Sequence, residues 1–137
     1  MVDPSDGRRA LAQRFGAEPG AEAVAPKVVI EASGHAVAEA IDAVDVAGTV
    51  VLVGSVFPAP PIAVDAEDIV RRLVTITGVH NYAGSDLSAA VAFLAGRGRA
   101  YPFGDVVGAV HPLMDADEAL AAAAAPGAPL RIGLAPR

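Results

Sequence analysis

The sequence contains no cysteine and no tryptophan, and only 4% of its 137 residues are aromatic. Without cysteine, neither a disulfide nor a thiolate metal site can form. Hydrophobic residues make up 53% of the chain and are mainly alanine, valine, leucine and isoleucine. A chain of this length and composition suits one domain with a substantial aliphatic core.

Long apolar runs and a strong positive charge are also missing. The alanine run at residues 121–125 is far shorter than the ~20 apolar residues of a membrane-spanning helix. The net charge of -6 argues against a nucleic acid or an anionic membrane as partner, and solubility explains it. The opening residues, MVDPSDGRRALAQRFG, lack a signal-peptide or twin-arginine pattern. We therefore expect a cytoplasmic protein without a nucleic-acid or membrane partner.

Two apolar runs frame a helical segment in the first half of the chain. Residues 28–30 and 50–53 show no alternation, which is typical of parallel strands covered on both faces. Val37, Ile41 and Val44 recur at helical spacing between them, and Gly48 is the predicted helix stop. Strand, helix and strand in this order predict a right-handed βαβ unit.

Further elements follow from the same kinds of pattern. The predicted helix over 85–97 has Ser85 or Asp86 as its cap and an inner stripe of Leu87, Val91 and Leu94. The remaining predictions are helices over 7–16, 65–72 and 115–125, strands over 73–80, 105–113 and 130–134, and a short irregular connection over 17–26.

Glycines follow both strands of the βαβ unit. Ligands of open α/β sheets lie outside the carboxyl ends of the strands, where Gly34 and Gly54 stand. A glycine there lets a ligand approach the backbone closely, although ordinary turn glycines would look the same. Both interpretations stay open.

Other candidate residues carry weaker signals. Asp3 could hold a ribose, but no glycine fingerprint precedes it, and Asp3-Pro4 is more typical of a turn start. His35, His80 and His111 show no metal-ligand spacing, and no serine lies in a nucleophile elbow. Arg131, a lone cation in an apolar strand, could reach a diphosphate or simply face solvent.

Four stretches together resemble the C-terminal, NAD-binding part of zinc-dependent medium-chain alcohol dehydrogenases. They cover most of the chain in family order, and the GVHNY text is most similar to a subgroup associated with phosphonate catabolism. The stretches are VDPSDGRRALAQRFGA, VVIEASGHAVAEAIDAVDVAGTVVLVG, RRLVTITGVHNYAGSDLSAAVAFLA and ALAAAAAPGAPLRIGLAP.

The resemblance implies the fold, the cofactor and the site. The fold would be an α/β, incomplete Rossmann-like parallel sheet over residues 1–137, and strand 73–80 would pair with its copy in a homodimer. The implied NAD contacts are Asp3 and Arg8 at the adenosine ribose, Ser33 and Gly34 at the adenine and ribose side, Val53, Gly54 and Ser55 at the nicotinamide half, Val79, His80 and Asn81 at the nicotinamide amide, and Arg131 at the diphosphate.

Departures from the family pattern limit what this chain would do. The family's zinc ligands, its first Rossmann strand and its glycine loop have no counterpart in the 137 residues, so we expect weak NAD binding and no catalysis by this chain alone. The apolar edge of residues 27–32 would be left unpaired. A fragment of an NAD-dependent alcohol dehydrogenase, an oxidoreductase acting on a small alcohol or aldehyde, is the favoured hypothesis. A decayed gene product and a non-catalytic dimerisation or interaction module are the alternatives.

Overall fold

A computed structural model describes residues 2–18 and 25–136, which fall into two compact units. The sheet unit spans residues 20–83, and the split unit combines residues 1–19 with 84–137. The elements in chain order are α1 (Asp6–Arg14), β1 (Val28–Glu31), α2 (Val37–Ala43), β2 (Thr49–Leu52), α3 (Ala66–Arg72), β3 (Thr75–Gly78), α4 (Gly84–Ala95), β4 (Val107–Pro112), α5 (Ala116–Ala124) and β5 (Arg131–Ala135).

The sheet unit carries a three-stranded sheet in the order β1-β2-β3, and both pairings are parallel. Val50 in the middle strand lies between Val29 and Ile76. Because α2 connects β1 to β2, this part of the sheet is the predicted βαβ unit. This arrangement confirms the predicted fold class, an incomplete Rossmann-like parallel sheet.

The core of the sheet unit lies between α2 and the sheet. Val37, Ile41 and Val44 are all buried, as their helical spacing predicts, and Val50 is fully buried beneath them. Val29, Leu52, Ile69 and Val74 pack around this cluster as partly buried neighbours.

The expectation that β1 is covered on both faces is wrong. Its side chains alternate, so that Val29 and Glu31 face α2, while Val28 and Ile30 are 58% and 66% exposed. The strand is stabilised by burial of the face toward α2 alone. No described element of the sheet unit covers its opposite face, which carries Val28 and Ile30. β1 is also an edge strand, so the apolar edge expected at residues 27–32 is present.

Helix α3 is fixed at both ends by side-chain contacts. Asp65 caps its start, with Oδ1 accepting hydrogen bonds from the backbone N–H groups of Glu67 (2.9 Å) and Asp68 (3.1 Å). At its other end, the Arg72 guanidinium donates to the carbonyl oxygens of Val44 (2.7 Å) and Ile41 (2.9 Å). The end of α2 and the end of α3 are thereby tied together.

The split unit joins two distant stretches of chain. Its two strands, β4 and β5, are parallel, with Val107 opposite Arg131, and α5 connects them and packs against β5. Helix α1 is capped by Ser5, whose Oγ accepts from the Arg8 N–H at 3.3 Å, and Gly16 follows it with a φ of +84°. The prediction of a helix stopped near Gly16 is confirmed.

Four aromatic side chains connect the two stretches of the split unit. Phe15 follows α1 and lies 5.1 Å from Phe103 between ring centroids, and Tyr101 stacks on it at 6.2 Å. Phe93 of α4 contacts the same pair of rings at 6.1 and 6.5 Å. Such aromatic contacts stabilise an assembly that buries few aliphatic side chains.

Some local predictions are wrong. Helix α2 ends at Ala43, so Gly48 is not its stop; Gly48 lies in the turn before β2, where a Cβ would come within 2.7 Å of the Asp45 carbonyl oxygen. Helix α4 begins at Gly84, ahead of both predicted caps. Its expected inner stripe, Leu87, Val91 and Leu94, is about half exposed because no described element covers it. Most of the predicted connection over 17–26 lies outside the described residues, which resume at residue 25.

Candidate functional site

The carboxyl ends of β1 and β2 carry two turns that meet. The first turn, residues 32–36, leads into α2, and the second, residues 53–56, follows β2. The N–H groups of Val53 and Gly54 both donate to the Glu31 carbonyl oxygen, at 2.9 and 3.0 Å. The two turns are therefore joined at the point where open α/β sheets hold their ligands.

Gly34 and Gly54 pack against each other through their backbones. A Cβ on Gly34 would lie 2.6 Å from the Gly54 carbonyl oxygen, and Gly34 has a φ of +77°. A Cβ on Gly54 would collide with the backbone of residues 32–34, reaching the Ser33 nitrogen at 2.5 Å. Both positions require glycine because the two turns approach each other so closely. This requirement goes beyond the conformational freedom that an ordinary turn needs from a glycine.

The first turn is tied from inside by a carboxylate. Glu31, only 4% exposed, accepts from the backbone N–H groups of Ser33 and Gly34 at 2.9 Å each, and the Ser33 hydroxyl donates to the same carboxylate. The Ser33 hydroxyl oxygen in turn accepts from the His35 N–H at 3.1 Å. The turn into α2 is thus held by the last side chain of β1.

The ionised form of Glu31 is the one that this arrangement favours. Burial by itself raises the pKa of a carboxyl group, but here the Ser33 hydroxyl and the backbone N–H groups of Gly34, Ser33 and Ala36 outweigh it. The pKa of Glu31 is consequently lowered below its ordinary value.

A third turn follows β3 and carries the other predicted residues of the sheet unit. The Val79 N–H donates to the Leu52 carbonyl oxygen at 3.0 Å, which keeps the chain beside β2 as it leaves the sheet. Asn81 has a φ of +59°, and Val79, His80 and Asn81 are all exposed. Their side chains are open to solvent at the carboxyl edge.

The structure gathers five of the predicted site residues around the two joined turns. Ser33 and Ser55 are exposed, Gly34 and Gly54 are partly buried, and Val53 is 41% exposed. This edge therefore presents small residues with one apolar surface beside them. Such a lining is suited to a flat ligand with polar edges.

Asp3, Arg8 and Arg131 belong to the split unit. The Asp3 Oδ1 accepts from the Ser5 N–H at 2.8 Å, which is the turn that the Asp3-Pro4 pair predicts. The Arg131 guanidinium donates to the Leu130 carbonyl oxygen at 2.7 Å and is exposed. Asp3 and Arg8 lie together beside a cavity of about 360 Å³, whose other lining residues are Leu11, Ala12, Phe15, Ala17, Val106 and Leu130.

Glu31 is a candidate functional residue that the sequence patterns do not predict. The available signal was a charged residue that ends an apolar run and is followed closely by Ser33 and Gly34. An acid in such a place is usually a sign of a local hydrogen-bond network, because an unpartnered buried charge is costly.

The part of the chain that the structure describes has neither a candidate metal site nor a membrane-spanning helix. No group of three or more His, Asp or Glu side chains in residues 2–18 and 25–136 is placed to hold a metal ion. No helix in this part of the chain is long and apolar enough to cross a membrane.

The sequence matches no protein-family model and no curated protein. Its structure is similar to that of L-idonate 5-dehydrogenase from Escherichia coli, with a TM-score of 0.79 at 20% identity over 96% of this chain and 41% of that one. The structure is also similar to that of an Escherichia coli alcohol dehydrogenase, which is described as short-chain and is in complex with NADH. The TM-score is 0.78 at 17% identity, over 93% of this chain and 41% of that one.

A Sinorhizobium meliloti protein described as a zinc-binding dehydrogenase and bound to NADP gives a TM-score of 0.71 at 20% identity, over 96% of this chain and 42% of that one. The chain thus spans about two fifths of the length of the dehydrogenases that it matches. The fold of this chain is therefore the fold of part of these dehydrogenases, as the resemblance in the sequence implies.

Proposed function

We propose that this chain is the cofactor-binding portion of an NAD-dependent enzyme of the zinc-type medium-chain alcohol dehydrogenase family, acting in the cytoplasm. The observation that carries the proposal is the meeting of the Gly34 and Gly54 turns at the carboxyl edge of a parallel sheet with a dehydrogenase fold. In the intact family, bound NAD accepts or donates a hydride, and a small alcohol or aldehyde is the substrate.

The residues of the sheet unit suit the nucleoside parts of NAD. At the adenine and ribose side, Ser33 is exposed and Gly34 has no side chain that would obstruct a ligand. At the nicotinamide half, Val53 offers an apolar contact beside Gly54 and the exposed Ser55. The exposed residues 79–81 would receive the nicotinamide amide through backbone groups. In the split unit, the resemblance assigns Asp3 and Arg8 to the adenosine ribose.

The diphosphate and the zinc fit this chain less well. The N–H groups of Ser33 and Gly34 are already bonded to the Glu31 carboxylate, so this turn does not cradle a phosphate, and the proposal leaves Arg131 as the diphosphate contact. The described residues do not fit a zinc ion. The proposal therefore gives residues 1–137 a weak binding role and no catalytic residue.

The test is a titration of the purified chain with NADH. Binding is monitored by NADH fluorescence and by the melting temperature of the chain. We expect saturable binding and a rise in the melting temperature, since ligand at 100 times its Kd stabilises by roughly 2.7 kcal/mol. Ser55→Trp should block the site and weaken binding at least about tenfold. Ser88→Trp, on exposed α4, is the matched control and should bind like the wild type. A folded wild-type chain that does not bind millimolar NADH would refute the proposal.

An exposed sheet edge favours a second role, homodimerisation through β3. The N–H groups of Thr75 and Val79 donate inward, to the carbonyl oxygens of Gly48 and Leu52, at 2.9 and 3.0 Å. By alternation, the N–H groups of Ile76 and Gly78 face the open edge, where a second copy of residues 73–80 could pair.

Light scattering of the purified chain tests this role. We expect a dimer for the wild type and a monomer for Ile76→Pro, because proline removes an outward donor and leaves the inward ones in place. A monomeric wild type at micromolar concentration would count against dimerisation and would leave the cofactor proposal untouched.

A further inference from the structure

Glu31 is the one charged side chain that is buried among residues 2–18 and 25–136. No described lysine, arginine or histidine forms a salt bridge with it. Its partners are instead the hydroxyl of Ser33 and the backbone N–H groups of Ser33 and Gly34, all within the turn that follows it. A buried carboxylate that is satisfied in this way fixes the atoms that donate to it.

The donors that Glu31 engages are also the groups that would otherwise be free to move or to bind an anion. Residues 32–36 contain no regular structure, and a glycine with a φ of +77° lies at their centre. Gly34 donates to both carboxylate oxygens, so the carboxylate restricts the orientation of its peptide as well as its distance. Without this acceptor, the turn would lose several of its internal restraints.

The restrained turn at residues 32–36 also fixes the position of the neighbouring turn at residues 53–56. Gly34 lies against the Gly54 carbonyl group, and the Glu31 backbone oxygen accepts from Val53 and Gly54. The side chain and the backbone of one residue therefore hold both turns at the carboxyl edge. Glu31 itself does not face the ligand surface, since it is 4% exposed.

We propose that Glu31 is a positioning residue for cofactor binding, which holds the Ser33-Gly34 turn against the Gly54 turn before the ligand arrives. This inference rests on the proposed function, because it concerns affinity for the same cofactor. Pre-organisation of this kind raises affinity, since the ordering of the loop is not paid for at the moment of binding.

The experiment compares three variants of the 137-residue chain with the wild type. Glu31→Gln keeps the size of the side chain and one acceptor oxygen, but it removes the charge and places an NH₂ group where the Gly34 N–H donates to the second carboxylate oxygen. Glu31→Asp keeps a carboxylate, and an aspartate can accept from the N–H two residues onward. Glu39→Gln, an exposed acid on α2 in the same unit, is the control. The measurements are the Kd for NADH and the amide hydrogen exchange of Ser33 and Gly34.

In the wild type, we expect slow exchange at Ser33 and Gly34. In Glu31→Gln, we expect faster exchange than in the wild type, most of all at Gly34, and an NADH Kd raised about tenfold. Glu31→Asp should recover part of the protection and part of the affinity, and Glu39→Gln should match the wild type. Equal losses in the Gln and Asp variants would overturn the positioning role, because they would indicate a general packing requirement.

The failure of the inference and the failure of the proposed function give different results. If wild-type NADH binding is normal and Glu31→Gln binds equally well, the inference is wrong while the proposed function stands. If the wild type shows protected Ser33 and Gly34 amides but does not bind NADH, the proposed function is wrong, and the role of Glu31 in affinity is refuted with it.

Discussion

The two units of this chain bury their apolar residues very differently. The sheet unit has a contiguous buried cluster formed by α2 and the middle strand, whereas Ala119 is the one buried hydrophobic side chain among the described residues of the split unit. The contacts of the split unit are instead those between aromatic rings, together with an exposed ion pair between Arg14 and Asp105. A βαβ unit forms its core from neighbouring segments, while the split unit must bring together two ends of the chain.

This difference indicates where the candidate site gets its rigidity. The Gly34 and Gly54 turns stand directly at the end of the well-packed sheet unit, so their positions follow from its core. The apolar residues of α4 and β4 in the split unit are largely exposed. We therefore expect substitutions in the sheet unit to have larger effects than matched substitutions in the split unit.

Substitution of Gly54 by alanine should give the largest effect. The new Cβ would meet the backbone of residues 32–34, and backbone cannot move aside as a flexible side chain can. We expect a loss of about 3 kcal/mol in the free energy of unfolding, measured by urea denaturation. Gly104→Ala in the split unit is the control, since open space surrounds that position, and it should be nearly neutral. Equal effects of the two substitutions would contradict the close packing of the turns.

The second largest difference between the units is expected for valine-to-alanine substitutions in their sheets. Val50 in β2 is fully buried, so Val50→Ala should cost about 2 kcal/mol through lost burial and a residual cavity. Val110 in β4 is 62% exposed, so Val110→Ala should cost less than about 0.5 kcal/mol. Chemical denaturation measures both. A cost at Val110 as large as that at Val50 would show that the surface of β4 is covered in solution.

Acid should weaken the sheet unit through its carboxylates. The pKa of Glu31 is lowered despite its burial, and those of Asp45 and Asp68 are lowered chiefly by hydrogen bonds from Lys27 and Arg72. A lowered pKa in the folded state means that the contribution is complete above the ordinary value, 4.5 for Glu31, and is lost as the pH falls through the lowered value.

Thermal melting between about pH 6 and about pH 3 tests this expectation. The melting temperature should fall as the pH is lowered, and Glu31→Gln should show a weaker dependence that retains the contributions of Asp45 and Asp68. Parallel curves for the wild type and Glu31→Gln would rule out a pH-dependent role of the Glu31 carboxylate.

The smallest effect is expected at the ion pair of the split unit. Arg14 and Asp105 are both about half exposed, so water and salt screen their attraction. Arg14→Ala should change the free energy of unfolding by less than about 0.5 kcal/mol. Added salt should reduce even this difference. A cost above that of Val50→Ala would reverse the comparison between the units.

The sequence by itself determined the local elements, the parallel βαβ unit and the family resemblance. The helical spacing of Val37, Ile41 and Val44, the helix pattern of residues 65–72 and the glycines at the strand ends are all short-range signals, and the structure has the corresponding elements. Local propensity and side-chain periodicity act within a few residues, which is why they can be read from the sequence.

Tertiary structure decided what covers each face and why each glycine is required. The exposure of Ile30, of the α4 stripe and of β4 depends on which elements lie opposite them, and periodicity does not contain that information. The backbone contact between Gly34 and Gly54 joins turns that are twenty residues apart in the chain. The role of Glu31 depends on the same folding of the chain, because a carboxylate becomes a restraint only where burial and N–H donors converge on it.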